Sequence, residues 1–253
     1  MPLTADNDFR PDVEKLKSLI TPKTKLIIIN NPGNPTGGIF EKEDILAIAD
    51  ILKDRPDIFV LSDEIYDRLM YDGETISIAS IPEMRDRTLV LDGFSKTYAM
   101  TGWRIGYCVA NVDIIKKFEM IMVNSVSCTC SFTQMAAVEA LKGPQDSVVE
   151  MKNKFKERRD WLVNALNEID GIKCCMPRGA FYAFPDISSF GLSSKEFADR
   201  LLEEEGIALA WGTSFGEYGE GHIRISYATS LENLKEAVER LKRFTLKLKN
   251  EKA

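Results

Sequence analysis

Apolar residues in this chain alternate between two patterns, and the alternation outlines an α/β protein. Three short apolar runs stand between polar or turn-forming residues: Leu26-Ile27-Ile28-Ile29, Ile58-Phe59-Val60-Leu61 and Thr88-Leu89-Val90-Leu91. The first, with three β-branched residues in succession, reads as a strand buried on both faces. It breaks into Asn30-Asn31-Pro32-Gly33-Asn34-Pro35-Thr36-Gly37-Gly38, a turn-rich stretch. Over 41–53 the pattern changes to a helical stripe, with Ile45, Leu46, Ile48, Ala49, Ile51 and Leu52 on one broad face. Further amphipathic helices are predicted over 113–123 and 131–141. Helices and strands are expected to alternate to about residue 145.

The run Lys142-Gly143-Pro144-Gln145 is the strongest breaker, and a long charged helix is predicted over 147–167. Beyond it the pattern reads as α+β. A strand is expected around 180–184. Ser193-Ser194-Lys195-Glu196 then forms a capping box for a helix ending at Gly206. Strands follow over 207–211 and 222–227. Thr229 and Glu232 read as a second capping box, opening a last amphipathic helix through Leu241 or beyond. The tail Lys247-Leu248-Lys249-Asn250-Glu251-Lys252 reads as a frayed helix end whose lysines favour the dipole. There are no internal repeats or low-complexity segments.

Chemistry gathers where the apolar runs stop. The first ends toward Asn34, the second at Ser62-Asp63-Glu64-Ile65-Tyr66, the third at Gly93-Phe94-Ser95-Lys96. In an open parallel α/β sheet, ligands bind at the carboxyl ends of the strands, so an amide, a carboxylate and an amine would share one crevice. A lysine there can anchor an aldehyde cofactor, with Ser95 and Arg104 placed to hold an anion. Each residue also has a plainer reading. Lys96 can be a solvated loop lysine, Asp63 a helix N-cap, Tyr66 a half-buried tyrosine and Asn34 a turn residue. Arg224, in His222-Ile223-Arg224-Ile225-Ser226, can be a strand arginine paired with a carboxylate.

Taken in order, Asn34-Pro35-Thr36-Gly37, Ser62-Asp63-Glu64-Ile65-Tyr66 and Ser95-Lys96 through Trp103-Arg104-Ile105-Gly106 resemble the class I aminotransferases. These are pyridoxal-phosphate enzymes of fold type I, and the chain is most similar to their aspartate/aromatic branch. Pro177-Arg178-Gly179-Ala180-Phe181-Tyr182 and His222-Ile223-Arg224-Ile225-Ser226-Tyr227-Ala228 agree with it. The resemblance implies a mostly parallel large domain and an α+β small domain, divided as 1–145 and 146–253 with the long helix bridging them. It implies that Lys96 holds pyridoxal 5'-phosphate as a Schiff base and moves the substrate Cα proton. Asp63 would pair with the pyridine nitrogen, and Tyr66 and Asn34 would face the cofactor O3′. Asn34 would also meet the substrate carboxylate, which Arg224 clamps. Ser95 and Arg104 would hold the phosphate. A cis bond before Pro35 is a further implication.

The implied reaction moves an amino group between an L-amino acid and a 2-oxo acid. A β-lyase or decarboxylase on the same scaffold, or a truncated or split non-catalytic subunit, are the alternatives. At 253 residues, the resemblance begins well inside the family's sequence. A segment carrying more strands, part of the phosphate cradle, a stacking aromatic and much of the dimer contact is therefore expected to be missing from the large domain. Exposed edges and apolar faces should follow, making the chain aggregation-prone or dependent on a homodimer partner or a complementing N-terminal fragment.

Composition narrows the rest. Hydrophobic residues make up 44% and charged residues 28%, an ordinary globular balance. The net charge of -6 argues against nucleic acid. No apolar stretch reaches spanning length and no signal peptide is evident. Five cysteines without a Cys-x-x-Cys spacing favour reduced thiols in a cytoplasm and no metal site. The single histidine, His222, reads as a strand-surface residue.

Overall fold

The computed structural model describes residues 1–252. In chain order the elements begin with α1 (Val13–Leu19), β1 (Leu26–Asn30), α2 (Lys42–Leu52) and β2 (Phe59–Asp63). α3 (Pro82–Arg85), β3 (Thr88–Gly93), α4 (Phe94–Thr97), β4 (Gly106–Val109), α5 (Val112–Ser125), α6 (Ser131–Lys142) and α7 (Asp146–Asn167) follow. The last are β5 (Tyr182–Ala183), α8 (Ser194–Glu205), β6 (Ala210–Trp211), β7 (Ile223–Ser226) and α9 (Leu231–Lys252). Two sheets organise them. The first has the order β1-β2-β3-β4, parallel from β1 to β3 with β4 antiparallel. The second is the antiparallel set β5-β7-β6.

Each sheet carries its own apolar core. Ile45, Ile48, Ala49 and Leu52 on α2 pack against Ile29, Ile58 and Val60. A fully buried Leu or Ile of this kind stabilises the fold by roughly 1.5–3 kcal/mol. α2 starts where the sequence indicated, and the Asp44 carboxylate accepts the Glu41 N–H at 2.9 Å, tying down its first turn. The second core joins Phe155, Leu162 and Leu166 of α7 to Phe197 and Leu201 of α8, Leu241 and Phe244 of α9, and Ile223 and Tyr227. Tyr66 and Leu69, from the loop after β2, enter this same core.

Several expectations need correction. β1 is not buried on both faces: Ile28 is 67% exposed and Leu26 47%. It is an edge strand, and among the described residues no layer covers the face that Leu26 and Ile28 present. α5 is amphipathic as expected, yet it buries none of its residues, and Met120, Ile121 and Val123 are exposed. On α6 only Thr133 and Ala137 are buried, while Phe132 and Met135 stand out at 69% and 68% exposure. Strict alternation also fails between β2 and β3, where short turns of 3₁₀-helix (Asp67–Leu69, Ile78–Ser80) and the four-residue α3 replace a full helix.

In the second half the strands are shorter than the apolar runs suggested. The cap of α9 is Ser230, whose hydroxyl accepts the Asn233 N–H at 3.1 Å, rather than Thr229. Thr229 instead accepts the Asn233 side chain at 3.0 Å. Ser193 caps α8 by accepting the Glu196 N–H at 3.2 Å, one arm of the expected box, and Gly206 closes that helix in the left-handed region. The basic tail is not frayed. Leu248 is buried, Lys247 pairs with Glu204 at 2.8 Å, and Arg200 reaches Glu251 at 3.0 Å.

Candidate active site

The parallel register brings the strand ends level. Asn30 lies opposite Asp63, and Asp63 opposite Leu91, so the segments leaving β1, β2 and β3 emerge on the same side. After β1 the chain turns through two cis peptides, Asn31–Pro32 and Asn34–Pro35, the second as the sequence implied. Gly33 and Gly37 close the turn, with the Gly37 N–H donating to the Gly33 carbonyl at 2.9 Å. The Gly37 carbonyl then accepts two N–H groups, from Arg178 at 2.7 Å and Gly179 at 3.0 Å. The Asn34 turn is thereby docked onto the strand entering the second sheet.

Asn34 and Arg224, 190 residues apart, meet directly. The Arg224 Nη1 donates to Asn34 Oδ1 at 2.9 Å. The guanidinium lies over two aromatic faces, with its Cζ 4.5 Å from the Tyr182 ring centre and 4.8 Å from that of Phe215. Its Nε is shielded and has no hydrogen-bond partner among the described residues. Arg224 is therefore not the exposed arginine paired with a carboxylate that the plainer reading gave. It is a cation held between aromatic rings and the Asn34 amide oxygen.

Lys96 sits in α4, directly after β3, with Nζ 5.9 Å from the Tyr66 ring centre and 5.6 Å from that of Phe181. Among the described residues it has no carboxylate partner. Tyr66 is buried rather than half-buried, at 3% exposure. Its hydroxyl lies 3.1 Å from that of Tyr182. Burial first, then the Tyr182 hydrogen bond, pushes the Tyr66 phenol far above the usual tyrosine range, while the Arg224 charge pulls the other way.

Asp63 does not cap a helix. Its Oδ1 accepts only the Ile65 N–H, at 3.4 Å. Burial and the neighbouring Asp92 charge raise its carboxyl above the ordinary range. Among the described residues no basic side chain faces it in an ion pair. The phosphate candidates are less closely drawn together. Ser95 adjoins Lys96 in α4, but Arg104 is exposed and its Nη1 donates to the Thr101 carbonyl at 2.8 Å. No hydrogen bond joins Ser95 to Arg104 among the described residues.

The structure adds three residues to this cluster: Phe181, Tyr182 and Phe215. The first two lie in a run with no chemical signal of its own beyond the resemblance, and Phe215 lies in an irregular glycine-flanked turn where periodicity says nothing. His222 also departs from expectation. It is half-buried, its ring stacked on Phe184 at 4.9 Å, and its Nε2 is shielded without a hydrogen-bond partner among the described residues. No group of three or more His, Cys, Asp or Glu among the described residues could hold a metal ion. No helix there is long and apolar enough to cross a membrane. All five cysteines are free.

An aligned set of strand ends, with a lysine, an unpaired carboxylate and a clamped arginine gathered over them, is the arrangement of a fold type I transferase. The chain belongs to the class I and II aminotransferases: the model of that family matches residues 1–241. It is 42% identical over 246 residues to the aromatic-amino-acid aminotransferase 2 of Thermococcus litoralis, a match covering 96% of this chain and 63% of that protein. It is 43% identical over 246 residues to an aspartate aminotransferase of Pyrococcus abyssi, covering 96% and 63%. Among solved structures, an aromatic aminotransferase from Pyrococcus horikoshii OT3 superposes with a TM-score of 0.95 at 42% identity, covering 98% of this chain and 67% of that one. The chain thus spans about 63% of the length of these curated relatives.

Proposed function

We propose that this chain carries the covalent and charged part of a pyridoxal 5'-phosphate site that moves an amino group between an L-amino acid and a 2-oxo acid. The observation that carries the reading is the gathering of Lys96, Tyr66, Asn34 and Arg224 within one set of ring and hydrogen-bond contacts. The residues fit the cofactor. Lys96 offers an amine with no carboxylate partner among the described residues, Asp63 a half-buried carboxylate with no basic partner there, and Arg224 a guanidinium held by two rings and Asn34 with no carboxylate paired to it.

The chemistry that pyridoxal phosphate supplies when bound is an electron sink for the charge left on the substrate Cα. The Lys96 Nζ would anchor the cofactor aldehyde and, once displaced by the substrate amine, carry the Cα proton. The Asp63 carboxylate would keep a proton on the pyridine nitrogen. The same contact would relieve its own burial, since a nearby cation favours the charged carboxylate. The Tyr66 and Asn34 side chains would hold the O3′ side of the ring. Arg224 would clamp the substrate α-carboxylate with its planar fork, steadied by the Tyr182 and Phe215 rings. Ser95 and Arg104 would hold the phosphate.

We further divide the chain at residue 145 into a part of the large cofactor-binding domain, 1–145, and a bridging helix with the small domain, 146–253. The two sheets and two cores support that division. The uncovered faces of β1, α5 and α6 support a protein partner, a second copy or a complementing fragment. The five free thiols support a cytoplasmic home.

The test follows nitrogen. The chain is loaded with cofactor and given an L-amino acid with and without a 2-oxo acid acceptor, alone and with its candidate partner segment. Acceptor-dependent formation of a new amino acid, without ammonia, is the expected result. Ammonia and a 2-oxo acid released without an acceptor would replace amino transfer with lyase chemistry.

A further inference from the structure

We propose that Tyr182 is a positioning residue for both ends of this site, its ring holding Arg224 and its hydroxyl holding Tyr66. The proposal rests on the roles given above to Arg224 and Tyr66 and goes beyond them by naming the one side chain that holds both. Sheet register sets up the contact. Tyr182 pairs with Ser226 across the antiparallel ladder, so Arg224, two residues away, is its diagonal neighbour on the same face. At that spacing long side chains reach each other, and the Arg224 Cζ lies 4.5 Å from the Tyr182 ring centre.

The hydroxyl at the far end of the same ring lies 3.1 Å from the Tyr66 hydroxyl, in a buried setting where an unpaired phenol is costly. Tyr66 in turn borders Lys96. One rigid side chain with two torsions therefore reaches from Arg224 to Tyr66. Its two ends do different things, and this makes the role separable from plain packing. Removing only the hydroxyl should release Tyr66 and spare Arg224. Removing the ring should release both.

The test uses the whole chain without added cofactor. NMR follows the isotope-labelled Tyr66 Cζ resonance, assigned with Tyr66→Phe, and the Arg224 Nε–H cross-peak, assigned with Arg224→Lys. Calorimetry measures binding of 2-oxoglutarate. Tyr182→Phe should move the Tyr66 resonance, leave the Arg224 cross-peak in place and change 2-oxoglutarate affinity by less than about twofold. Tyr182→Leu should move both resonances and weaken 2-oxoglutarate binding roughly 3- to 30-fold, the range of a desolvated cation–π contact. An unmoved Tyr66 resonance in Tyr182→Phe overturns the proposal, and so does an unmoved Arg224 cross-peak in Tyr182→Leu. Should the leucine variant fail to fold, the phenylalanine variant still decides the matter through Tyr66. A wild-type chain that ignores 2-oxoglutarate would overturn the carboxylate role of Arg224, while the two resonances would still decide for or against Tyr182.

Discussion

Replacing Gly37 with alanine should unseat the turn that carries Asn34. Two penalties coincide there. The residue sits at φ +68°, where a side chain costs roughly 1–2 kcal/mol. A Cβ would also lie 2.5 Å from the Pro177 Cβ and 2.8 Å from the Tyr182 carbonyl oxygen, neither of which is a flexible side-chain end. Such overpacking typically costs about 1–3 kcal/mol. If the turn lifts away to relieve it, the two hydrogen bonds that the Gly37 carbonyl accepts weaken as well. The expected loss is therefore about 2–5 kcal/mol, a large share of a typical domain's stability. Two other glycines separate the causes. Gly206→Ala has nearly the same φ, +69°, and its Cβ would meet only the Arg240 Nη1 at an ordinary 3.5 Å, so it should show backbone strain alone. Gly102→Ala has open space and no such φ, and it should change stability by less than about 0.5 kcal/mol. Urea unfolding at equal m-values gives the three numbers. A Gly37→Ala loss no larger than that of Gly206→Ala would refute the steric part of the reasoning and the docking of the Asn34 turn with it.

Other expectations are quickly put to measurement. Arg224→Lys should weaken 2-oxoglutarate binding by roughly 10-fold or more, because an ammonium offers neither the planar fork nor the same ring stacking; calorimetry giving equal affinity would contradict the clamp. Asp67, raised to about 6 by burial and by the Asp92 charge, binds its proton more tightly folded than unfolded. Its ionisation therefore costs stability as pH climbs from the ordinary carboxylate range through about 6, and the cost is fully present above that. Asp67→Asn should then gain on wild type between pH 4 and pH 7; the carboxyl is crowded by neighbouring protein, yet the residue lies at the exposed surface, where solvent screening keeps the gain below about 1 kcal/mol. Urea midpoints at the two pH values with no relative gain would refute this. The uncovered apolar residues of β1, α5 and α6 should drive self-association, so sedimentation at rising concentration is expected to show growing species. A monodisperse, cooperatively melting monomer would contradict it.

Much of this architecture was legible because the local signals agreed. The boundaries of α2, α6 and α7 follow their apolar periodicity and flanking breakers closely, and Gly206 marks a real left-handed helix end. What failed did so for tertiary reasons. An apolar run such as Leu26-Ile27-Ile28-Ile29 reveals that a strand has two apolar faces, but whether both are covered depends on neighbours absent from the run itself. Thr229 and Ser230 are both good caps, and only the backbone path chooses the second. Lys96 and Asp63 stood out as candidates from residue type after apolar strands, and Arg224 from resemblance. Their environment was not legible. The rings around Arg224 come from Tyr182 and Phe215, each apolar enough to pass for ordinary core, and the Tyr66–Tyr182 contact spans 116 residues of sequence. The phosphate side shows the opposite limit, since Arg104 fits the motif yet turns to the Thr101 carbonyl.

The central claim is that Lys96 is the cofactor lysine, and trapping tests it most directly. Wild-type chain and Lys96→Ala are mixed with pyridoxal 5'-phosphate, their visible absorbance is recorded, and the adducts are reduced with borohydride and mapped by peptide mass. The account predicts a visible band in wild type that the variant lacks, and a reduced phosphopyridoxyl group on the peptide containing Lys96. Label scattered over surface lysines, or an equal band in Lys96→Ala, would contradict it.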